Sequence, residues 1–134
     1  MKYYPRVLIA DDDAGIREVL VTIVRNTLPS AKITALENGR QALDFYNRNG
    51  ADLVISNFIM PEMNGPDFVK ILRNSNEKIP VIMVSGSREA EALGMEAGID
   101  RFVNKYEIMT ALPGEIKSLL GKEKVSCLNH FVCG

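Results

Sequence analysis

Apolar positions recur along the chain in two rhythms. Continuous apolar runs stand at Val7-Leu8-Ile9-Ala10, at Leu53-Val54-Ile55 ahead of Ser56, and at Val81-Ile82-Met83-Val84 behind Pro80. Runs of that kind mark strands covered on both faces. Between them, apolar residues return at helical spacing. Ile16, Val19, Leu20, Ile23, Val24 and Leu28 form one such set, stopped by Pro29. Gly39, Ala42, Leu43 and Tyr46 form a second that ends near Asn49-Gly50, and Phe68, Val69, Ile71 and Leu72 a third, with Pro66 suited to its first turn. Ile33-Thr34-Ala35-Leu36 reads as a weaker strand, and Ile99 to Val103 as a fifth, interrupted by Asp100 and Arg101. A small-residue helix from about Arg88 to Ala97 is closed by Gly98. Ile108, Leu112, Ile116, Leu119 and Leu120 give a last amphipathic helix, and Pro113-Gly114 places its regular start near Leu112.

Strands alternating with helices predict right-handed crossovers and a parallel sheet between two helical layers, an α/β doubly wound fold of three layers. The first, third and fourth strands are the most apolar and belong in the middle; the second and fifth carry polar residues and read as edges. That gives the order 2-1-3-4-5. Strands one and three then flank the switch point, so a site is expected at their carboxyl ends, with help from strands four and five.

Composition narrows the function classes. The chain has 134 residues, enough for one domain with a real core, and 46% hydrophobic with 25% charged content is ordinary for a globular protein. A net charge of −1 offers no basic field for nucleic acid or an anionic membrane. No apolar run approaches the roughly 20 residues of a membrane span, and no secretory leader follows the N-terminus, so a cytoplasmic location is expected. The domain is expected to occupy residues 1–121, with 122–134 as a flexible tail. Cys127, His130 and Cys133 in that tail lack the spacing of a zinc site and read as reduced thiols beside a histidine.

The polar residues at the expected strand ends carry the chemistry. Strand one ends in Asp11-Asp12-Asp13, strand three in Asn57, strand four in Ser85, and strand five leads to Lys105. Consecutive carboxylates repel one another, more so when desolvated. A hard divalent cation such as Mg²⁺ relieves this, so Asp11 and Asp12 are candidate cation ligands and Asp13 the helix-capping or outer member of the run. Acids, a hydroxyl and an ammonium converging on one point can hold a phosphoryl group.

From Arg6 to about Leu120 the sequence resembles the receiver domain of two-component response regulators, of the chemotaxis-regulator kind. The resemblance rests on the acidic run after strand one, the Asp52…Met60-Pro61…Gly65 segment, Ser85-Gly86 and Lys105, all in the expected order. It implies a flavodoxin-like (βα)5 fold and a part in phosphorelay signalling, without enzymatic activity of its own. It further implies that Asp11 and Asp12, with Asn57 and the backbone carbonyl of Ile59, would form the Mg²⁺ shell. Ser85 would be the switch hydroxyl, Lys105 the pocket lysine, and Phe102 the switch aromatic. Implied partners are a sensor histidine kinase or phosphotransfer protein, or a downstream output protein met through helix four, strand five and helix five. No direct contact with nucleic acid or membrane is expected, and output after Leu120 would pass through a partner or a longer chain.

The departure from the family pattern is Asn57, which stands where the family carries its phosphoacceptor aspartate. An amide oxygen lacks the charge that makes a carboxylate a nucleophile, so the ordinary aspartyl-phosphate is not expected there. Mg²⁺ binding should be weakened or absent, since the pocket lacks one negative charge. Tyr106 in place of the usual proline, a slightly short Ser85-to-Lys105 interval and apolar Ile59 beside the pocket favour natural divergence; an Asp-to-Asn variant is the other origin. An alternative function is a haloacid-dehalogenase-like Mg-dependent phosphatase. It would use Asp11-x-Asp13, Ser85 and Lys105, but lacks a clear acidic pair downstream; only Glu107, Glu115 and Glu123 follow.

Overall fold

A computed structural model describes residues 4–75 and 78–133 of the chain, with side chains through Gly121. The five strands are β1 (Arg6–Ala10), β2 (Lys32–Leu36), β3 (Leu53–Asn57), β4 (Val81–Ser85) and β5 (Arg101–Asn104). The helices are α1 (Ala14–Thr27), α2 (Gly39–Asn49), α3 (Gly65–Ser75), α4 (Arg88–Ala97) and α5 (Ile108–Cys133), the last preceded by a 3₁₀ turn, Lys105–Glu107. All strand pairs are parallel and the sheet order is β2-β1-β3-β4-β5. This is the doubly wound order expected from the apolar pattern and the flavodoxin-like arrangement that the resemblance implies.

Alternation along each strand sends successive side chains to opposite faces, which creates two cores. Val7, Ile9, Leu53, Ile55, Ile82 and Val84 pack with Leu20, Ile23 and Val24 of α1 and with Ile108, Leu112, Ile116 and Leu120 of α5. On the other face Leu8, Val54, Val81 and Met83 meet Ala42 and Leu43 of α2, Phe68, Val69 and Leu72 of α3, and Ala97 of α4. The central strands are buried almost throughout, whereas β2 and β5 are mostly half-buried edges.

Three boundaries differ from the sequence expectation. β5 starts at Arg101, because the two residues before it have other bonding. The Ile99 N–H donates to the Gly94 carbonyl, capping α4 beyond left-handed Gly98 (φ 111°). Asp100 accepts from the Val81 N–H and the Arg73 guanidinium. Helix α5 starts at Ile108 rather than near Leu112, and Pro113 lies inside it. Proline removes one backbone donor, but Ile108, Leu112 and Ile116 are all buried against the sheet, and their packing holds the first turns in register. The backbone of α5 also continues past Leu120 to Cys133. The side chains of Cys127, His130 and Cys133 lie outside the described residues.

Candidate functional site

Register brings the predicted site residues together. Ala10 lies beside Ser56, Asn57 beside Val84, and Ser85 beside Asn104. Asp11, Asn57, Ser85 and Lys105 therefore leave neighbouring strands along one edge of the sheet.

Each acid of the Asp11-Asp12-Asp13 run has a different environment. Asp13 caps α1: its Oδ1 accepts from the Gly15 N–H at 2.8 Å and the Ile16 N–H at 3.1 Å. Those bonds, the Ile16 bond foremost, lower its pKa. Asp11 is fully buried; one oxygen accepts from the Asp13 N–H at 2.9 Å, and Oδ2 has no partner among the described residues. Burial raises its pKa, against the opposing pull of the Asp13 N–H and the Lys105 charge. A buried, unpartnered carboxylate oxygen is a costly feature that structural needs alone do not explain. Asp12 is exposed, and its Oδ1 accepts from the Asn57 side-chain nitrogen at 3.2 Å.

Asn57 donates a second bond from the same nitrogen, to the Ile59 carbonyl at 2.8 Å. The loop behind it is held under strain. Glu62 is the only non-glycine residue with positive φ among the described residues, at 69°, and the Met63 N–H donates to the Pro61 carbonyl across it at 2.7 Å. That is a tight three-residue turn of the rarer hand. Gly65 closes the loop, its N–H donating to the Phe58 carbonyl at 2.8 Å. A Cβ on Gly65 would collide with the Asn57 carbonyl oxygen.

On the far side, Ser85 is buried and its Oγ accepts from the Ser87 N–H at 3.2 Å. Lys105 opens the 3₁₀ turn, capped by Asn104, and makes no direct ion pair among the described residues. Phe102 is half-buried against the core that contains Met83. Two apolar side chains stand in solvent near this edge, Ile59 at 71% and Tyr106 at 87% exposure. The Tyr106 ring lies beside Gly86.

Arg17 is a site-adjacent residue that the sequence did not mark. One turn into α1, its guanidinium donates to the Asp11 carbonyl at 2.8 Å. Nothing in the helical pattern separates it from a solvated arginine; only the placement of Asp11 does. Ser56, also unmarked, is buried and donates to the Asn57 carbonyl at 2.9 Å, fixing the backbone of the residue that follows it.

The donor set tests whether a divalent cation suits the site. Asp11, with its unpartnered oxygen, and Asp12 are suitable ligands. Asn57, however, turns N–H groups toward Asp12 and Ile59, where a cation would need oxygen. Among the described residues no group of three or more histidine, cysteine, aspartate or glutamate side chains is placed to hold a metal ion. As arranged, these residues do not fit a cation.

A family model described as "Response regulator receiver domain" matches residues 7–117. The sensory transduction protein RegX3 of Mycolicibacterium smegmatis is 32% identical over 117 residues, 85% of this chain and 50% of that protein. The protein-glutamate methylesterase/protein-glutamine glutaminase of Treponema denticola is 39% identical over 105 residues, 75% of this chain and 28% of that protein. This chain thus spans half or less of the length of these two relatives. The receiver domain of the Francisella response regulator 1452 superposes with a TM-score of 0.79 at 30% identity, covering 89% of this chain and 98% of that one. None of these matches supports the haloacid-dehalogenase reading.

Proposed function

The chain belongs to the response regulator receiver family, and from that premise we propose that it is a receiver that signals by protein–protein contact without being phosphorylated at the usual position. The observation that carries this is Asn57. A neutral amide, with its nitrogen committed to Asp12 and Ile59, occupies the strand end where the family resemblance calls for a nucleophilic carboxylate. Asp11, Asp12, Ser85, Lys105 and Phe102 take the pocket and switch roles that the family resemblance implies, and Mg²⁺ binding is weak or absent. The protein is a cytoplasmic signalling module rather than an enzyme. Among the described residues no helix is long and apolar enough to cross a membrane.

Its partners are a sensor histidine kinase, a phosphotransfer protein or an output protein. They meet the face formed by α4, β5 and α5, and neither nucleic acid nor membrane is contacted directly. Leu93 and Met95 on α4 and Met109 on α5 are exposed large apolar side chains that support contact there.

Incubation with acetyl phosphate and magnesium, followed by intact mass measurement, tests the reading. No phosphoryl adduct is expected on the chain as given, whereas the Asn57→Asp variant should acquire one. An adduct on the unaltered chain would overturn the proposal. A pull-down comparing the two forms then reports whether phosphorylation changes the partners bound.

A further inference from the structure

The Asn57 nitrogen joins two oxygens that nothing else in the described chain brings together. Asp12 Oδ1 and the Ile59 carbonyl receive its hydrogens at 3.2 and 2.8 Å. Neither oxygen carries a hydrogen, so the amide must turn its nitrogen and not its oxygen toward them. Two acceptors from separate segments, one of them charged, are ordinarily reconciled by a cation or by a donor carrying partial positive charge. Here the donor is built into the chain.

The bond to Ile59 anchors the loop at its first turn, ahead of the buried Met60. Ile59 begins a loop that passes through the left-handed turn at Glu62, and its side chain is 71% exposed, so packing of that side chain contributes little to holding it. Further along, the loop is held by the Gly65 N–H on the Phe58 carbonyl, the Gly39 N–H on the Met63 carbonyl and the buried Met60 side chain.

We infer that Asn57 is a positioning residue. Its side-chain nitrogen takes the bridging place of a divalent cation, clamps the β3–α3 loop to Asp12, and makes the loop's closed form independent of metal. This deepens the receiver reading above and rests on it. An aspartate at the same position could accept a cation but could not make these two bonds. It would also place a further carboxylate beside Asp11 and Asp12, so the loop would close only with metal present.

Thermal unfolding of the chain, of Asn57→Asp and of Asn57→Leu, each in millimolar magnesium chloride and in chelator, tests this. The unaltered chain should give one Tm in both. Asn57→Asp should fall by about 5 °C in chelator and recover most of that in magnesium; Asn57→Leu should fall in both and recover in neither. Amide exchange of residues 58–64 should follow the same order, with slow exchange in the unaltered chain regardless of metal. A rise in the unaltered chain's Tm with magnesium as large as that of Asn57→Asp would overturn the inference. So would an Asn57→Leu variant whose Tm and loop exchange match the unaltered chain. Should a variant fail to fold, the side-chain amide resonances of Asn57 in the unaltered chain decide: unmoved by magnesium they support the clamp, and displaced they refute it. A phosphoryl adduct on the unaltered chain would sink the signalling proposal alone; magnesium-dependent stability without an adduct would sink this one alone.

Discussion

The two ends of the same sheet treat charge in opposite ways. At the amino end Asp52 and Asp100 are both paired. Asp52 accepts from the Arg6 backbone and guanidinium at 2.8, 3.2 and 3.1 Å, and Arg6 also reaches the Asn49 carbonyl. Asp100 takes the Arg73 guanidinium and the Val81 N–H, while Arg73 also donates to the carbonyls of Gly98 and Ile79. At the carboxyl end the buried Asp11 keeps an unpartnered oxygen, Lys105 makes no ion pair among the described residues, and an amide stands among acids. The pKa directions follow. Burial of Asp52 works upward, but the Arg6 bonds outweigh it and its pKa is lowered; burial wins at Asp11, whose pKa is raised. One end is built for stability, and the other keeps unspent polar capacity, which is where a binding or switching function can reside.

The contrast can be broken most severely at the tight loop over β3. Gly65→Ala should cost about 3 kcal/mol by urea unfolding, because the new Cβ meets the Asn57 carbonyl, which cannot step aside. Gly114→Ala, with nothing within 4 Å of its Cβ, should instead stabilise by about 0.5–1 kcal/mol. At the amino end, Arg73→Ala should cost about 2–3 kcal/mol by the same measurement, since it strips three acceptors of a largely buried donor. A smaller, sharper test neutralises one carboxylate at each end. Asp52→Asn should destabilise by about 1–2 kcal/mol, whereas Asp11→Asn should stabilise by on the order of 1 kcal/mol at neutral pH. If both variants destabilise equally, the distinction between the ends fails.

Acid titration of stability should show the same asymmetry. Asp11, with a raised folded pKa, destabilises when ionised. That cost is fully present at neutral pH and is relieved as pH falls through the folded pKa toward the ordinary 3.8. Asp52, with a lowered folded pKa, contributes stability that is fully present above 3.8 and is lost as pH falls through its folded pKa. The urea midpoint should therefore rise on mild acidification and then drop. Asp11→Asn should flatten the rise, and Asp52→Asn should flatten part of the drop.

Much of this arrangement was legible beforehand. The uninterrupted apolar runs of β1, β3 and β4 identified the central strands, and the polar residues closing each strand were assigned to one edge. Asp13 as the cap of α1 also followed from its place before the helix. Element limits were less accessible where a local signal was overruled. Pro113 argued for a late start to α5, yet burial of Ile108 held the earlier turn, and Asp100 was drawn out of β5 by Arg73, which lies 27 residues before it. Arg17 was invisible because a surface arginine and one bonded to the Asp11 carbonyl look alike in sequence.

The pattern of apolar and polar positions was enough for the sheet, its strand order and the cast of residues at the carboxyl ends, including the amide among the acids. Those follow from which positions must leave water, and burial of apolar area is set locally by periodicity. That Asp11 is the buried acid, that its second oxygen has no partner among the described residues, and that Asn57 gives its nitrogen to Asp12 and Ile59 emerged only from the fold. Hydrogen-bond partnership depends on distance and angle between segments, here 45 residues apart for Asn57 and Asp12, and no local pattern encodes it.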